Sequence, residues 1–285
     1  MTAVVLVTGA SSGIGEATAL RAAARGDHVA LLARREAELT RVAESCQRAG
    51  AASTLVLPVD VADDSAVEAA VDRVVSTLGR LDVAVGDAGV IAFGDLGSVP
   101  VEVFDRVVVT NVLGQANLAR HVLPHLREQG AGSIVLVGSV LGHLAVPGMT
   151  PYIVSKWGVR ALHRQLQLET RDARGVRVGY VAPAGVDTPV YARGGNWSGT
   201  RWRPPPPVMQ PDVVAEAILD VADGNRRRSQ VGSLNDVMRL GFSLAPRVYD
   251  VLVGPLSRRV IRHGRADDSP GNVIEPGPGS GAQQP

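Results

Sequence analysis

Tyr152 and Lys156 stand at positions i and i+4, so on a helix they lie one turn apart on the same side. A free tyrosine, with a pKa of about 10, is too reluctant a proton acceptor for neutral pH. A cation a few ångströms away favours the phenolate and brings the ring toward the range useful for general acid–base chemistry. The lysine is also the chain's only one, set among 28 arginines. Arginine solvates the surface everywhere else, so position 156 calls for an ammonium rather than a guanidinium. Its three donors suit sugar hydroxyls. Ser139 ends an apolar run 13 residues before Tyr152. Its hydroxyl could hold a carbonyl oxygen and steady the charge that develops there. The plainer alternatives are a surface lysine beside an aromatic ring and a strand-end serine that caps a backbone group.

A second cluster lies at the start of the chain. Thr8-Gly9-Ala10-Ser11-Ser12-Gly13-Ile14-Gly15 follows the apolar run Val4-Val5-Leu6-Val7 and opens an alanine-rich stretch. Glycine permits positive φ and close backbone approach. A helix N-terminus behind such a loop offers free N–H groups and a positive dipole end to a pyrophosphate. Three glycines alone need not bind anything, but placement at the first strand–helix turn points to a dinucleotide. An acid about 20 residues further on would bond the adenosine ribose and repel a 2′-phosphate. Here the next apolar run ends Leu31-Leu32-Ala33-Arg34-Arg35. The Arg34 guanidinium suits a dianionic phosphate. Alternatively, Arg34 only leads a solvated helix that carries Arg35, Glu36 and Glu38.

The elements that must position these groups alternate in type. Apolar runs at Val4–Val7, His28–Ala33, Ser53–Val59, Leu81–Val85, Ser133–Gly138 and Val176–Val181 are separated by helical stretches, among them Ala62–Leu78. Short continuous apolar strands between helices predict a doubly wound parallel sheet covered on both faces. Ligands of such a sheet bind at the carboxyl ends of the strands. Residues 131–155 carry no Asp, Glu, Lys or Arg. Gly138, Gly142, Pro147, Gly148 and Pro151 break that stretch, so it reads as a buried strand, a loop and a helix start rather than a membrane span. The irregular segment 189–211, with Trp197, Trp202 and four consecutive prolines, is a candidate substrate lid or a plain surface loop.

At 285 residues with 45% hydrophobic content, the chain is long enough to bury a large core as one α/β unit. Twenty-nine basic against 28 acidic residues excludes a general nucleic-acid binder. A single cysteine, Cys46, excludes an internal disulfide framework and fits a reducing compartment. The start Met1-Thr2-Ala3-Val4 lacks a basic n-region, so no signal peptide is expected and the location is read as cytoplasmic. Between 235 and 265, six arginines face two aspartates around Val237, Leu240, Leu244, Val248, Leu252 and Leu256. Such a stretch closes a substrate pocket, forms a subunit interface or lies on a membrane surface; the first two are expected ahead of the third. Arg226-Arg227-Arg228 reads as a solvated turn. Residues 264–285, rich in Gly, Pro and Gln, read as an unstructured tail. No metal site is expected.

The spacing T-G-x-x-x-G-x-G, with Ser139, Tyr152 and Lys156 in order behind it, resembles the short-chain dehydrogenase/reductase family over residues 3–190. The resemblance implies a single-domain Rossmann fold over 1–263 and a nicotinamide cofactor, NADP(H) ahead of NAD(H), because relatives with a base at position 34 prefer the phosphate. It implies that Gly9, Ser11, Ser12, Gly13, Ile14 and Gly15 cradle the pyrophosphate. Asp60 and Val61 would hold the adenine, with Asp60 as a simple helix-start acid the alternative. Ala88 and Gly89 would pass close to the cofactor, although Gly86-Asp87 replaces the family's usual pair of asparagines. Asn111 would support a water that relays protons to Lys156, or else only stabilise a helix kink. Val186 and Thr188 would bond the nicotinamide amide; Thr188 as a helix cap is the alternative, and Ala184 stands where a glycine is usual.

The resulting expectation is an NADP(H)-dependent oxidoreductase that interconverts a carbonyl and a secondary alcohol. Tyr152 moves the proton, Ser139 holds the oxygen, Lys156 lowers the tyrosine pKa, and Asn111 feeds the relay. An apolar small-molecule substrate fits Trp197, Trp202, Met209, Met238, Phe242 and Tyr249 in the lid and tail. A homo-oligomer, dimer or tetramer, is expected. The rival expectation is a nucleotide-sensing protein that binds a partner through the same fold. It would need the glycine loop but not the Ser–Tyr–Lys set.

Overall fold

The structure is a computed structural model that describes residues 2–225, 230–232 and 234–277. Arg226-Arg227-Arg228 and residues 278–285 lie outside the described residues. The first half alternates β1 (Val4–Thr8), α1 (Gly13–Ala24), β2 (His28–Ala33), α2 (Glu36–Ala49), β3 (Ser53–Pro58), α3 (Asp64–Leu78) and β4 (Val83–Gly86). Then come α4 (Val101–Val108), a π-turn at Val109–Leu113, α5 (Gly114–Gln129), β5 (Gly132–Val137), α6 (Thr150–Glu169) and β6 (Val176–Pro183). The chain continues through α7 (Pro211–Asp223), the two-residue β7 (Gln230–Val231), α8 (Asn235–Leu244) and α9 (Pro246–Val260).

The main sheet has the order β7-β6-β5-β4-β1-β2-β3, with every pairing parallel. This is the doubly wound Rossmann architecture that the apolar runs predict. Alternate residues of one strand feed two cores. Val4 and Leu6 pack with Leu118, Val122 and Ile134 on the α3, α5 and α6 side; Val5 and Val7 pack with Ala19, Leu39 and Val214 on the α1, α2 and α7 side. All four side chains of that run are at most 1% exposed. Burying each aliphatic side chain favours folding by roughly 1.5–3 kcal/mol, so a strand with both faces covered has to be apolar throughout.

The end of the chain departs from the sequence expectation. Residues 264–277 pack as a strap instead of forming an unstructured tail. Ser269 exchanges backbone hydrogen bonds with Asn196 at 2.7 and 2.9 Å, and the Asn272 amide donates to the Arg193 carbonyl. Val273 is fully buried among Val90, Ala92, Val99, Val103 and Val107, with Trp197 against it. One well-placed apolar residue and a short backbone ladder suffice to order a segment whose Gly/Pro composition reads as mobile.

The 189–211 segment is likewise tied down. Gly195–Asn196 pairs with Ala92–Phe93, and Arg201–Trp202 pairs with Arg262–His263. Trp202 stacks on Phe93 with ring centroids 4.7 Å apart.

Candidate active site

At the carboxyl ends of β1, β4, β5 and β6 lies a cleft of about 800 Å3. The phosphate loop forms one wall. Gly9 sits at φ 71°, where a side chain would be strained, and an added Cβ would fall 2.9 Å from the Ala88 backbone. Gly15 lies behind the loop rather than on the cleft wall: a Cβ there would fall 2.5 Å from the Gly9 carbonyl oxygen. Its role is to let α1 pass close beneath the loop. Gly9, Ser11, Ser12, Gly13 and Ile14 do line the cleft. Ser12 is the N-cap of α1 but makes no side-chain cap bond, so it does not occupy the first-turn amides of Gly13 and Ile14, which an anion could take; the Gly15 amide bonds Asp87. Thr8 joins the two strand ends: its hydroxyl donates to the Val85 carbonyl and accepts from the amides of Asp87 and Ala88.

Arg34 lies at the far end of the cleft, half-buried. Its two Nη atoms donate to the carbonyls of Asn272 (2.7 Å) and Ile274 (3.0 Å) in the strap. Asp60 and Val61 line the same end. Asp60 accepts from the Ala62 amide and is ion-paired with Arg106. Ala88 and Gly89 follow β4 along the floor, and Val186 and Thr188 follow β6. Thr188 packs against the loop, its Cγ2 3.2 Å from where a Gly13 Cβ would be.

The chemistry-bearing residues meet midway along the cleft. Ser139, 6% exposed at the end of β5, accepts a hydrogen bond from the Leu141 amide at 3.1 Å and also faces the Tyr152 phenol. Capping and catalytic readings of this serine are therefore compatible. Lys156 is 4% exposed, and its Nζ donates to the Val137 carbonyl at 2.9 Å. It lies 5.6 Å from the centre of the Tyr152 ring.

Two expectations need correction here. The balance of effects on the Tyr152 phenol runs upward rather than downward. Burial, helped by Tyr191, pushes the Tyr152 phenol above its ordinary value, while the Ser139 hydroxyl opposes that shift. The i, i+4 spacing does set the two residues one turn apart, but the ammonium is bonded to Val137. Asn111 is not a cleft residue either. It is fully buried in the π-turn, where Oδ1 accepts from the Val90 amide (2.8 Å) and Nδ2 donates to the Val90 carbonyl and to Ser155 Oγ (2.9 Å each). Its side chain ties the loop after β4 to α6.

Asp87 is the residue that motif reasoning undervalued. It lines the cleft, and burial raises its carboxyl to about 7, against the attraction of Lys156 and a bond from the Gly15 amide. Burial likewise lowers Lys156 to about 8, with Asp87 opposing. The signal was the departure from the family's asparagine at this position. Trp202, Met238 and Tyr249 line the substrate end, whereas Trp197 packs on the strap, Met209 against the sheet core, and Phe242 against Trp157 and Tyr249. Among the described residues, no group of three or more His, Cys, Asp or Glu is placed to hold a metal, and no helix is long and apolar enough to cross a membrane.

A profile of short chain dehydrogenases matches residues 3–198, more than half of the chain. The chain belongs to the short-chain dehydrogenase/reductase family. It is 37% identical over 218 residues to 2-(R)-hydroxypropyl-CoM dehydrogenase of Xanthobacter autotrophicus, covering 75% of this chain and 83% of that one. It is 36% identical over 188 residues to human dehydrogenase/reductase SDR family member 7, covering 65% of this chain and 56% of that one. Among solved structures, an alcohol dehydrogenase from the archaeon Thermococcus sibiricus complexed with 5-hydroxy-NADP aligns with a TM-score of 0.70 and 29% identity over 81% of this chain and 95% of that one. A short chain dehydrogenase from Mycobacterium paratuberculosis bound to NAD aligns with a TM-score of 0.69 and 26% identity, covering 80% and 95%. This short-chain dehydrogenase/reductase is accordingly an oxidoreductase that interconverts carbonyl and alcohol groups with a nicotinamide dinucleotide.

Proposed function

We propose that the protein is an NADP(H)-dependent oxidoreductase acting on an apolar ketone or secondary alcohol, with Tyr152 as the general acid–base. The observation that supports this most is convergence. Ser139, Tyr152 and Lys156 line the middle of one cleft whose far end holds the glycine loop and the Arg34 guanidinium. The residues present fit a phosphorylated dinucleotide. Gly9 and Gly13 line the cleft without side chains, so their backbone leaves room for a pyrophosphate to come close. Lys156 has one of its three N–H groups on Val137, and a buried ammonium calls for further acceptors, which ribose hydroxyls supply.

When bound, NADP(H) supplies or accepts the hydride. Ser139 holds the substrate oxygen by its hydroxyl. Tyr152, kept protonated by burial, donates its phenolic proton to that oxygen in the direction of reduction. Lys156 grips ribose and places a positive charge near the phenolate as it forms. Arg34 bonds the 2′-phosphate, held in orientation by the strap carbonyls. Leu141, Leu144, Val146, Met149, Trp202 and Ile261 give the substrate end an apolar wall.

Tyr152→Phe removes the proton donor without touching the phosphate loop. Turnover with NADPH and a panel of ketones should fall by on the order of 10²–10⁴, while NADPH binding followed by fluorescence stays close to that of the unaltered protein. Normal rates in the purified variant would refute the assignment. A sensor that binds a partner without turnover would show no NADPH consumption on any carbonyl tried, and Tyr152→Phe would then change nothing.

A further inference from the structure

The pair α8 and α9 covers the substrate end of the cleft, but only one side of the pair faces inward. Leu240, Leu244, Val248, Val251, Leu252 and Leu256 are between 57% and 78% exposed. Leu240 and Leu244 are one turn apart, as are Val248, Leu252 and Leu256, so each helix carries a continuous apolar stripe. Val248, Leu252 and Leu256 also line the cleft, so the exposed face runs into its mouth. Contiguous apolar surface of this kind marks a docking site.

Charge selects the occupant. Arg247 begins the outward stripe of α9 and Arg258 and Arg259 end it, all three exposed. By helical spacing, Arg247, Val251 and Arg258 form one row, and Val248, Leu252 and Arg259 form the next. Over 235–265, arginines outnumber acids six to two, and one of those acids, Asp236, bonds Arg239 on its own helix. A symmetric contact with a second copy would set these arginines against their own equivalents, which like charge opposes. An anionic lipid surface meets both features at once. Apolar side chains enter the acyl boundary, while arginines at the helix ends reach back to the headgroups.

We propose that α8 and α9 form a docking face for an anionic lipid surface, with the cleft mouth opening within the docked face. On the reading of that cleft as the carbonyl site, an apolar substrate passes between lipid and enzyme without crossing water; the docking itself does not depend on that reading.

The test is flotation of the full chain with vesicles of phosphatidylcholine alone or mixed with phosphatidylglycerol, with light scattering to follow molar mass. The protein should float with the anionic vesicles, much less with the neutral ones, and be released by salt. Replacing Arg247, Arg258 and Arg259 by Gln should weaken partitioning by about fivefold per arginine. Arg48→Gln with Arg73→Gln, on the exposed surface of other helices, should leave it unchanged. Leu244→Asp with Val251→Asp should abolish flotation and leave the molar mass as it was. Four outcomes would overturn the proposal. They are no flotation at low salt, equal flotation with neutral vesicles, equal loss in the control pair, and a molar mass that falls in the Asp variants, which would mark the face as a subunit interface.

Discussion

Asp87→Asn separates the role of the buried carboxylate from that of the Ser–Tyr–Lys set. Burial raises Asp87 from 3.8 to about 7, so the group is ionised only above about pH 7. Burial lowers Lys156 from 10.5 to about 8, so its ammonium persists below about pH 8 and is lost above it. The Asp87 charge is what opposes that loss. An opposite charge close by shifts a pKa by one to three units, and the low end applies here because the two groups are not in direct ion-pair contact. Asparagine should therefore bring Lys156 down to about 7, a change of about 1.4 kcal/mol. The ammonium fraction at pH 8 then drops from about one half to about one tenth, a loss of about fivefold. At pH 6 the two proteins should be nearly alike, because the wild-type carboxyl is itself protonated there. The assay is kcat/KM for NADPH-dependent ketone reduction between pH 5.5 and 9.5, which reports groups of the free enzyme. The alkaline limb should move from about pH 8 to about pH 7. An unmoved limb, or a uniform loss at every pH, would refute the coupling.

Two further substitutions probe the adenosine end. Arg34→Ala should raise the KM for NADPH by about 10- to 100-fold, the worth of charge-assisted hydrogen bonds, and leave the KM for NADH within about threefold; equal effects on both cofactors would remove Arg34 from phosphate recognition. Val273→Asp puts a carboxylate into the fully buried strap anchor, so the strap should detach. Hydrogen exchange at the Asn272 and Val273 amides should accelerate, and the KM for NADPH should rise to a value between those of the wild type and Arg34→Ala. A lowered KM would mean that the strap carbonyls compete with the phosphate rather than orient the guanidinium.

Six of the seven strands of the main sheet were legible because burial on both faces leaves a continuous apolar run. The seventh, Gln230–Val231, is two residues long and carries no such signal. That Ser139, Tyr152, Lys156 and the glycine loop meet at one cleft was legible for another reason: their residue types and spacing, behind strand ends, are few enough to stand out. The partners of those residues were not legible. Nothing local says that Lys156 will bond Val137, 19 positions away, or that Asn111 will spend its amide on Val90 and Ser155. The strap failed for the opposite reason. Its composition averages over 22 residues, whereas its docking depends on Val273 and a few backbone bonds.

The cleft has two kinds of wall, and they have different mechanical characters. Ser139, Lys156 and the glycine loop sit on strand ends and helix starts rooted in the two main cores. The opposite wall comes from α8 and α9, whose buried residues are Asn235 and Ser257. Asn235 fixes the start of α8 by donating to the Ala182 carbonyl, and the Tyr249 hydroxyl fixes α9 by donating to the Ala145 carbonyl. A wall held by a few polar bonds and little apolar burial opens at lower free energy than the sheet. Such a wall can move to admit a bulky substrate while the reacting groups stay aligned. On α9, Val248, Leu252 and Leu256 belong both to the exposed face and to the cleft lining, whereas Val251 belongs to the exposed face alone, so substitutions at Val251 alter surface docking without touching substrate choice. On the proposed assignment the proton chemistry depends on neither, because Ser139 and Lys156 are held beside the strand ends of the sheet.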